Sequence, residues 1–302
     1  MTNKINTTGL FFIIFLLSIG AGSVSAQAIE DIHDAAASLW VENDYVKTRL
    51  VSSHQQVAYD KSVLHYLGWE IEMKTKGWKT YWRTPGDAGT PPVFSWDGSE
   101  NLAVAEVLYP RPERFQIFGI QTFGYNERVI LPIRIEPQIG GAAIKVRMNA
   151  DFMSCKEICI PFTANYELAL PAPTGARGAE HEQSIFANDI RNFVSKVPLA
   201  NDLDNLALNV SKIILRGVAG KQKLSIYLKG HRHLAGADVF LEAAENFRFG
   251  APQKQLLDDG MSVLIVFPVE TTGQPDDLRG REVTLTIHDG WGFSREQVLN
   301  IL

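Results

Sequence analysis

Cysteine is scarce in this chain, with two in 302 residues, Cys155 and Cys159. That excludes a disulfide-stapled scaffold and leaves one pair to account for. A basic surplus is missing too: 29 Lys and Arg stand against 34 Asp and Glu, a formal net charge of −5. Without the positive stripe that phosphate backbones demand, nucleic acid is excluded as a partner. Long apolar runs are absent beyond the N-terminal segment, so no later stretch approaches the length of a membrane span. Helical periodicity is nearly absent. So are a Ser/His/Asp order, a phosphate loop and a paired set of catalytic carboxylates, and neither hydrolase nor transferase chemistry is expected.

The N-terminal segment reads as an export signal. Lys4 gives the positive start, Leu10 to Ile19 an apolar core interrupted only by Ser18, and Val24-Ser25-Ala26 the small residues of a cleavage site. Cleavage after Ala26 is expected, making residues 1–26 a signal peptide and Gln27 the new N-terminus. Loss of Lys4 then takes the formal charge from −5 to −6. The apolar core is about half the roughly 20 residues a bilayer requires. The mature protein is therefore expected to be periplasmic and not membrane-spanning, in a compartment that oxidises neighbouring thiols.

What remains is rich in alternation of period two. After a short amphipathic start around Ala35 to Trp40, apolar residues alternate with polar ones at Leu67, Trp69, Ile71 and Met73, at Val129, Leu131, Ile133 and Ile135, at Ile144, Val146 and Met148, and at Tyr166, Leu168 and Leu170. Gly/Pro-rich turns such as Thr84 to Pro92 separate them, which favours an antiparallel sandwich. From Pro171 to Gly178 the composition turns to Pro, Ala, Gly and Thr and reads as a linker. Over Glu182 to Val197, the spacing of Ile185, Phe186, Ile190, Phe193, Val194 and Val197 predicts one amphipathic helix ending before Pro198 and packing between domains.

Beyond it the strand pattern resumes at Val210 to Leu215, Leu224 to Leu228, Val239 to Leu241, Val263 to Val269 and Val283 to Ile287, with turns at Gly220, Gly236, Gly260 and Gly280. The expectation is an all-β chain of two antiparallel sandwiches. The first spans residues 27–172, the linker and helix 173–200, and the second sandwich 201–302.

Cys155-Lys156-Glu157-Ile158-Cys159 lies between two predicted strands, so the cysteines flank a tight turn. As a staple such a pair does little, because closing a ring of about five residues stabilises by only roughly 2 kcal/mol. A dithiol that opens and closes fits the placement better, while a structural disulfide and a metal site remain open. Lys156 would favour a thiolate and Glu157 oppose it, so local charge does not select the reacting sulfur.

Several motifs carry a resemblance. Tyr109-Pro110-x-Pro112-x-x-Phe115-x-x-Phe118-Gly119, Phe123-Gly124-Tyr125, Leu131-Pro132 and Cys155-x-x-x-Cys159-x-Pro161 resemble the N-terminal periplasmic domain of the DsbD thiol:disulfide interchange family. Gly77-Trp78-Lys79-Thr80-Tyr81-Trp82-Arg83-x-Pro85-Gly86-Asp87-x-Gly89 with Pro91-Pro92 is closer to its ScsB branch, named for suppression of copper sensitivity. The resemblance spans about residues 40 to 170. It implies an immunoglobulin-like fold, electron transfer by dithiol/disulfide exchange with periplasmic thioredoxin-like oxidoreductases, and no cofactor. It also implies that Cys155 and Cys159 are the reacting pair, with Cys159 engaged first and Cys155 resolving. In the family an aromatic loop covers the cysteines; the matching segment is Phe115 to Gly119, with Phe118 as shield. Full-length members continue into a membrane domain and a thioredoxin-like domain. Here either electrons are expected to come from a separate polypeptide, a membrane electron donor among the candidates, or the chain is a diverged relative with a different job, and the direction of electron flow stays open.

Three further groups stand out. Met148, Met153, Cys155 and Cys159 place four soft ligands within a short stretch, which suits Cu(I) and gives a copper-binding or copper-tolerance alternative; Met148 also fits a core position. His231-x-His233 sets two imidazoles on one strand face but lacks further ligands. Trp78, Tyr81 and Trp82, with Trp96, surround the Gly/Pro loop, either as a partner-binding surface or as core plugs. A non-enzymatic adaptor with a structural disulfide is the last alternative.

Overall fold

The computed structural model describes Met1 and residues 36–57, 65–117, 119–174, 182–200 and 208–302. Residues 2–26 of the expected export signal, the expected shield Phe118 and residues 175–181 of the expected linker and helix lie outside the described residues. Among the described residues, nineteen strands, all paired antiparallel, build four sheets. The first orders β1 (Val41–Glu42), β2 (Val46–Ser52), β3 (His65–Met73), β9 (Arg128–Pro137) and β6 (Leu102–Val107) side by side. The second orders β11 (Cys159–Leu170), β10 (Ile144–Cys155), β4 (Lys79–Gly86), β8 (Ile120–Asn126) and β7 (Glu113–Ile117), with β5 (Val93–Ser95) also on β10.

Alternation explains why these two sheets close on each other. Trp69, Leu131 and Ile133 from the first and Trp82, Val146 and Phe152 from the second are buried in one apolar cluster. Trp69 and Tyr166 satisfy each other inside it: the Trp69 indole N–H donates to the Tyr166 hydroxyl at 2.9 Å, which also bonds Thr48 at 2.6 Å.

The second half repeats the scheme. β12 (Leu208–Val218), β13 (Lys221–Gly230), β17 (Ser262–Thr271) and β15 (Phe247–Phe249) form one sheet, with β16 (Gln253–Leu257) also on β17. β14 (Asp238–Glu242), β18 (Glu282–His288) and β19 (Ser294–Asn300) form the other. Leu224, Ile226, Ile265, Phe267 and Leu285 lie in their shared core.

The helix is shorter than its apolar spacing predicts: α1 covers Ala187–Val194. Residues 182–184 bond the first sheet instead, through Gln55 N–H to Glu182 O at 3.1 Å and Ser184 N–H to Ser53 O at 3.0 Å, so their backbone is unavailable to a helical turn. Nor does the helix lie chiefly between the halves. Ile190 and Phe186 pack on the outer face of the first sheet against Ile130 and Val51. Gly68 permits this approach, since a Cβ there would come within 2.5 Å of Ile130 and 3.2 Å of Ile190. The chain after α1 does reach the junction, where Lys196 O accepts from Arg111 N–H at 2.9 Å.

The two halves are not independent beads. Phe240 of β14 is 1 % exposed and belongs to the first half's core, with its ring 5.0 Å from Phe123 and 5.9 Å from Trp82. Arg83 pairs with Glu242 at 2.5 Å and with Glu296, and Arg114 pairs with Asp238 at 2.9 Å. Gln121 donates to Phe249 O.

Candidate functional site

Twelve consecutive cross-strand pairs join β10 to β11, from Ile144↔Leu170 to Cys155↔Cys159. The cysteines are thus the last rung of a ladder, with Cα atoms 4.1 Å apart, and they are joined in a disulfide. Lys156 N–H bonds Ile158 O at 3.0 Å and closes the three-residue turn beyond them. That turn is solvent-exposed, Ile158 at 61 %.

The two sulfurs sit in different surroundings. Cys155 is 1 % exposed, because β4 pairs with β10 on its inner side; Cys159 lies on edge strand β11 and is exposed. Register also fixes the neighbours. Lys79 is the cross-strand partner of Cys155, and directly paired residues share a face, so Lys79, Tyr81 and Cys155 all lie on the outer face of the second sheet. The Tyr81 hydroxyl is 3.4 Å from Cys159 Sγ. Burial pushes the Tyr81 phenol up from its ordinary value, so at neutral pH it meets sulfur as a hydrogen-bond donor, not as a base. Gly89 makes room for that ring: at φ +94°, a Cβ there would lie 2.2 Å from Tyr81 Cζ.

Lys79 received no role from the sequence. Its Nζ donates to Thr122 Oγ1 at 2.6 Å and lies 4.7 Å from the centroid of the Phe115 ring. Phe115 and Thr122 are partners across β7 and β8, so the hairpin segment expected to shield the cysteines does stand on the site face through Phe115. Gly119, at φ +82°, turns that hairpin and is exposed. Its opposite face, through Arg114, Gln121 and Phe123, is the one that meets the second half.

Trp78, Tyr81 and Trp82 do not form a surface. They are 6 %, 2 % and 0 % exposed, Trp78 stacked on Tyr45 at 4.0 Å and Trp82 inside the first core. The sulfur cluster is divided as well: Met148, 1 % exposed, points into the core with Ala150 and Phe152, while Cys155 falls on the other face of the same strand. His233 packs against Gly260, where a Cβ would come within 2.2 Å of its ring, and its Nδ1 accepts from Ala235 N–H at 3.3 Å. Among the described residues no group of three His, Cys, Asp or Glu is placed to hold a metal ion, and no helix is long and apolar enough to cross a membrane.

The cavities at the junction of the halves, about 710 and 580 Å³, are lined by neither cysteine. The disulfide is presented at a solvent-exposed hairpin tip, a placement suited to contact with another macromolecule.

Comparison with known proteins agrees with this geometry. Residues 48–171 match the family described as thiol:disulfide interchange protein DsbD, N-terminal. Residues 196–299 match a domain of unknown function, DUF8393. No curated protein matches the chain in sequence. Among solved structures, the N-terminal periplasmic domain of ScsB from Proteus mirabilis superposes with a TM-score of 0.66 at 21 % identity, over 88 % of this chain and 98 % of that one. The architecture of the chain is therefore that of a known fold, β-rich and built of antiparallel sheets.

Proposed function

We propose that the chain is a periplasmic thiol:disulfide interchange module in which a thioredoxin-like partner engages Cys159 and Cys155 resolves the mixed disulfide. The observation that carries this reading is the asymmetry of the pair: one sulfur exposed at a hairpin tip, its mate buried one rung inside the ladder. Exchange needs in-line access to one sulfur and a second thiol beside it to break the intermediate. The matched segments 48–171 and 196–299 support a redox domain followed by a second domain. Phe115 and Gly119 are read as the shield of the pair, with the β7–β8 hairpin as the element a partner must approach.

The test is a pair of single variants. Cys155→Ser is expected to trap a thioredoxin-like partner covalently through Cys159, while Cys159→Ser traps none, and neither completes exchange. The wild-type pair should equilibrate with thiol buffers at a potential between roughly −180 and −270 mV. Exchange surviving in either variant would sink the proposal, as would a potential well below about −300 mV with resistance to thioredoxin-like reductants.

A further inference from the structure

Among the described residues Lys79 is the only lysine or arginine that is buried, at 4 % exposure. No carboxylate among them pairs with it; its partners are the Thr122 hydroxyl and the Phe115 ring. The nearest acid on that face by register, Glu113, two residues before Phe115, accepts from Asn126 at 3.0 Å instead. A buried ammonium without a counter-ion is costly, and burial lowers its pKa here with nothing to offset it. Both of its contacts are with neutral groups, so neither compensates the charge. Yet its backbone pairs directly across the ladder with that of Cys155, the buried sulfur, on the same face, while its ammonium is held one strand to the other side, on β8.

We propose that Lys79 is a positioning residue for the exchange reaction, its ammonium held on the site face to stabilise the negative charge that appears on Cys155 when the disulfide opens. The proposal rests on the interchange reading above. In the step concerned, a partner thiolate attacks Cys159 Sγ. The partner–Cys159 bond forms, the Cys155–Cys159 bond breaks, and its electron pair stays on Cys155 as a thiolate. A second partner thiolate then releases Cys159, so the partner's dithiol becomes a disulfide and this pair becomes the dithiol. In reverse, the Cys155 thiolate attacks Cys159 Sγ of the mixed disulfide and expels the partner. In both directions charge resides on a sulfur that solvent does not reach. Besides Lys79, the polar and charged groups around it are Tyr81 on β4, Glu113 on β7, and Lys156 and Glu157 in the exposed turn. Only Lys79 is both cationic and desolvated, and a charge acts with greatest strength where water does not screen it.

The test uses full-length Cys159→Ser protein, which leaves Cys155 as the single thiol, and follows thiolate absorbance near 240 nm against pH. Adding Lys79→Met is expected to raise the Cys155 pKa by about one unit, a tenfold loss of thiolate below that pKa. Lys79→Arg, which keeps the charge, should return the thiolate fraction to within about threefold of the parent. Should Lys79→Met fail to fold by circular dichroism, Lys79→Gln gives the same reading. An unchanged titration in the neutral variant overturns the proposal, as does a failure of arginine to restore it. Neither result touches the interchange reading, which stands or falls on partner trapping by the wild-type lysine protein.

Discussion

Phe240→Ala probes whether the second half of the chain completes the core of the first. The ring comes from β14 yet is 1 % exposed among Trp82, Phe123 and the guanidinium of Arg114, whose carbon lies 4.9 Å from its centroid. Burying a phenylalanine removes roughly 150–250 Å² from water. At about 25 cal/mol per Å², with the part an alanine retains subtracted, the transfer loss is some 2–3 kcal/mol. The void left between two sheets that cannot collapse onto each other adds to this, and the total falls near 4 kcal/mol, within the range for aromatic truncation in cores. Urea unfolding followed by tryptophan fluorescence reads the change, because Trp82 borders the vacated space. With a slope of about 3 kcal/mol per M for a chain this long, the midpoint should fall by more than roughly 1 M. Ile226→Ala, whose side chain is buried in the second core, is the comparison: it should weaken the second half and leave the Trp82 environment of the native protein unchanged. A midpoint shift below about 0.3 M in Phe240→Ala would refute the shared core and make the halves independent.

Two further outcomes follow from the same structure. His288 lies at the junction, where burial first, then Arg111 and Lys254, outweigh Asp238 and hold its pKa at about 4 instead of 6.5; its Nδ1 accepts from Gly290 N–H at 3.2 Å, which requires that nitrogen unprotonated. Because the unfolded chain takes up this proton first, the stabilisation is complete above pH 6.5 and is lost as pH falls toward 4, about 3 kcal/mol in all; His288→Gln should flatten that part of the urea-midpoint profile, and equal slopes in both proteins would refute the assignment. Gly89→Ala and Gly273→Ala both place an alanine at positive φ, +94° and +81°, but only the first drives a Cβ into Tyr81; in thermal unfolding it should cost at least ~1 kcal/mol more than the second, and equal losses would mean that Tyr81 does not pack on this loop.

The strands that the sequence announces are those with one face in a core. β3, β9 and β11 alternate cleanly because a register slip would expose their whole apolar set. β4 escapes the pattern since Lys79, Thr80 and Arg83 interrupt its apolar positions and Pro85-Gly86 reads as turn, although Lys79 pairs in register with Cys155 and Arg83 makes ion pairs at the junction. β16 and β19 escape because they are polar sheet-edge strands, Gln-Lys-Gln and Ser-Arg-Glu-Gln at their starts. The cysteine pair is legible because its geometry is local. The relation of Lys79 to Cys155 and of Tyr81 to Cys159 is not, since it depends on which strand settles beside β10, a choice made by packing between segments far apart in the chain. Phe240 fails for the same reason: the apolar run Val239-Phe240-Leu241 of β14 marks it as buried without saying in which core.

The position of the disulfide reconciles reactivity with a stable fold. Opening a ring of about five residues gives up roughly 2 kcal/mol of unfolded-state constraint, and the eleven rungs behind it, with a sheet-on-sheet core beneath, do not depend on it. What opening does create is a charge on a sulfur that water cannot reach, and an isolated buried charge costs more than the bond's own contribution to folding. Lys79 poses the converse problem in the oxidised protein, a buried cation with no anion. Each is unfavourable alone, and the reduced state alone contains both. On the proposed assignment, the oxidised form carries an unpaired charge that reduction neutralises. The fold therefore shifts the equilibrium toward the dithiol relative to the same hairpin with a neutral residue at position 79, while the burial of Cys155 directs attack to Cys159.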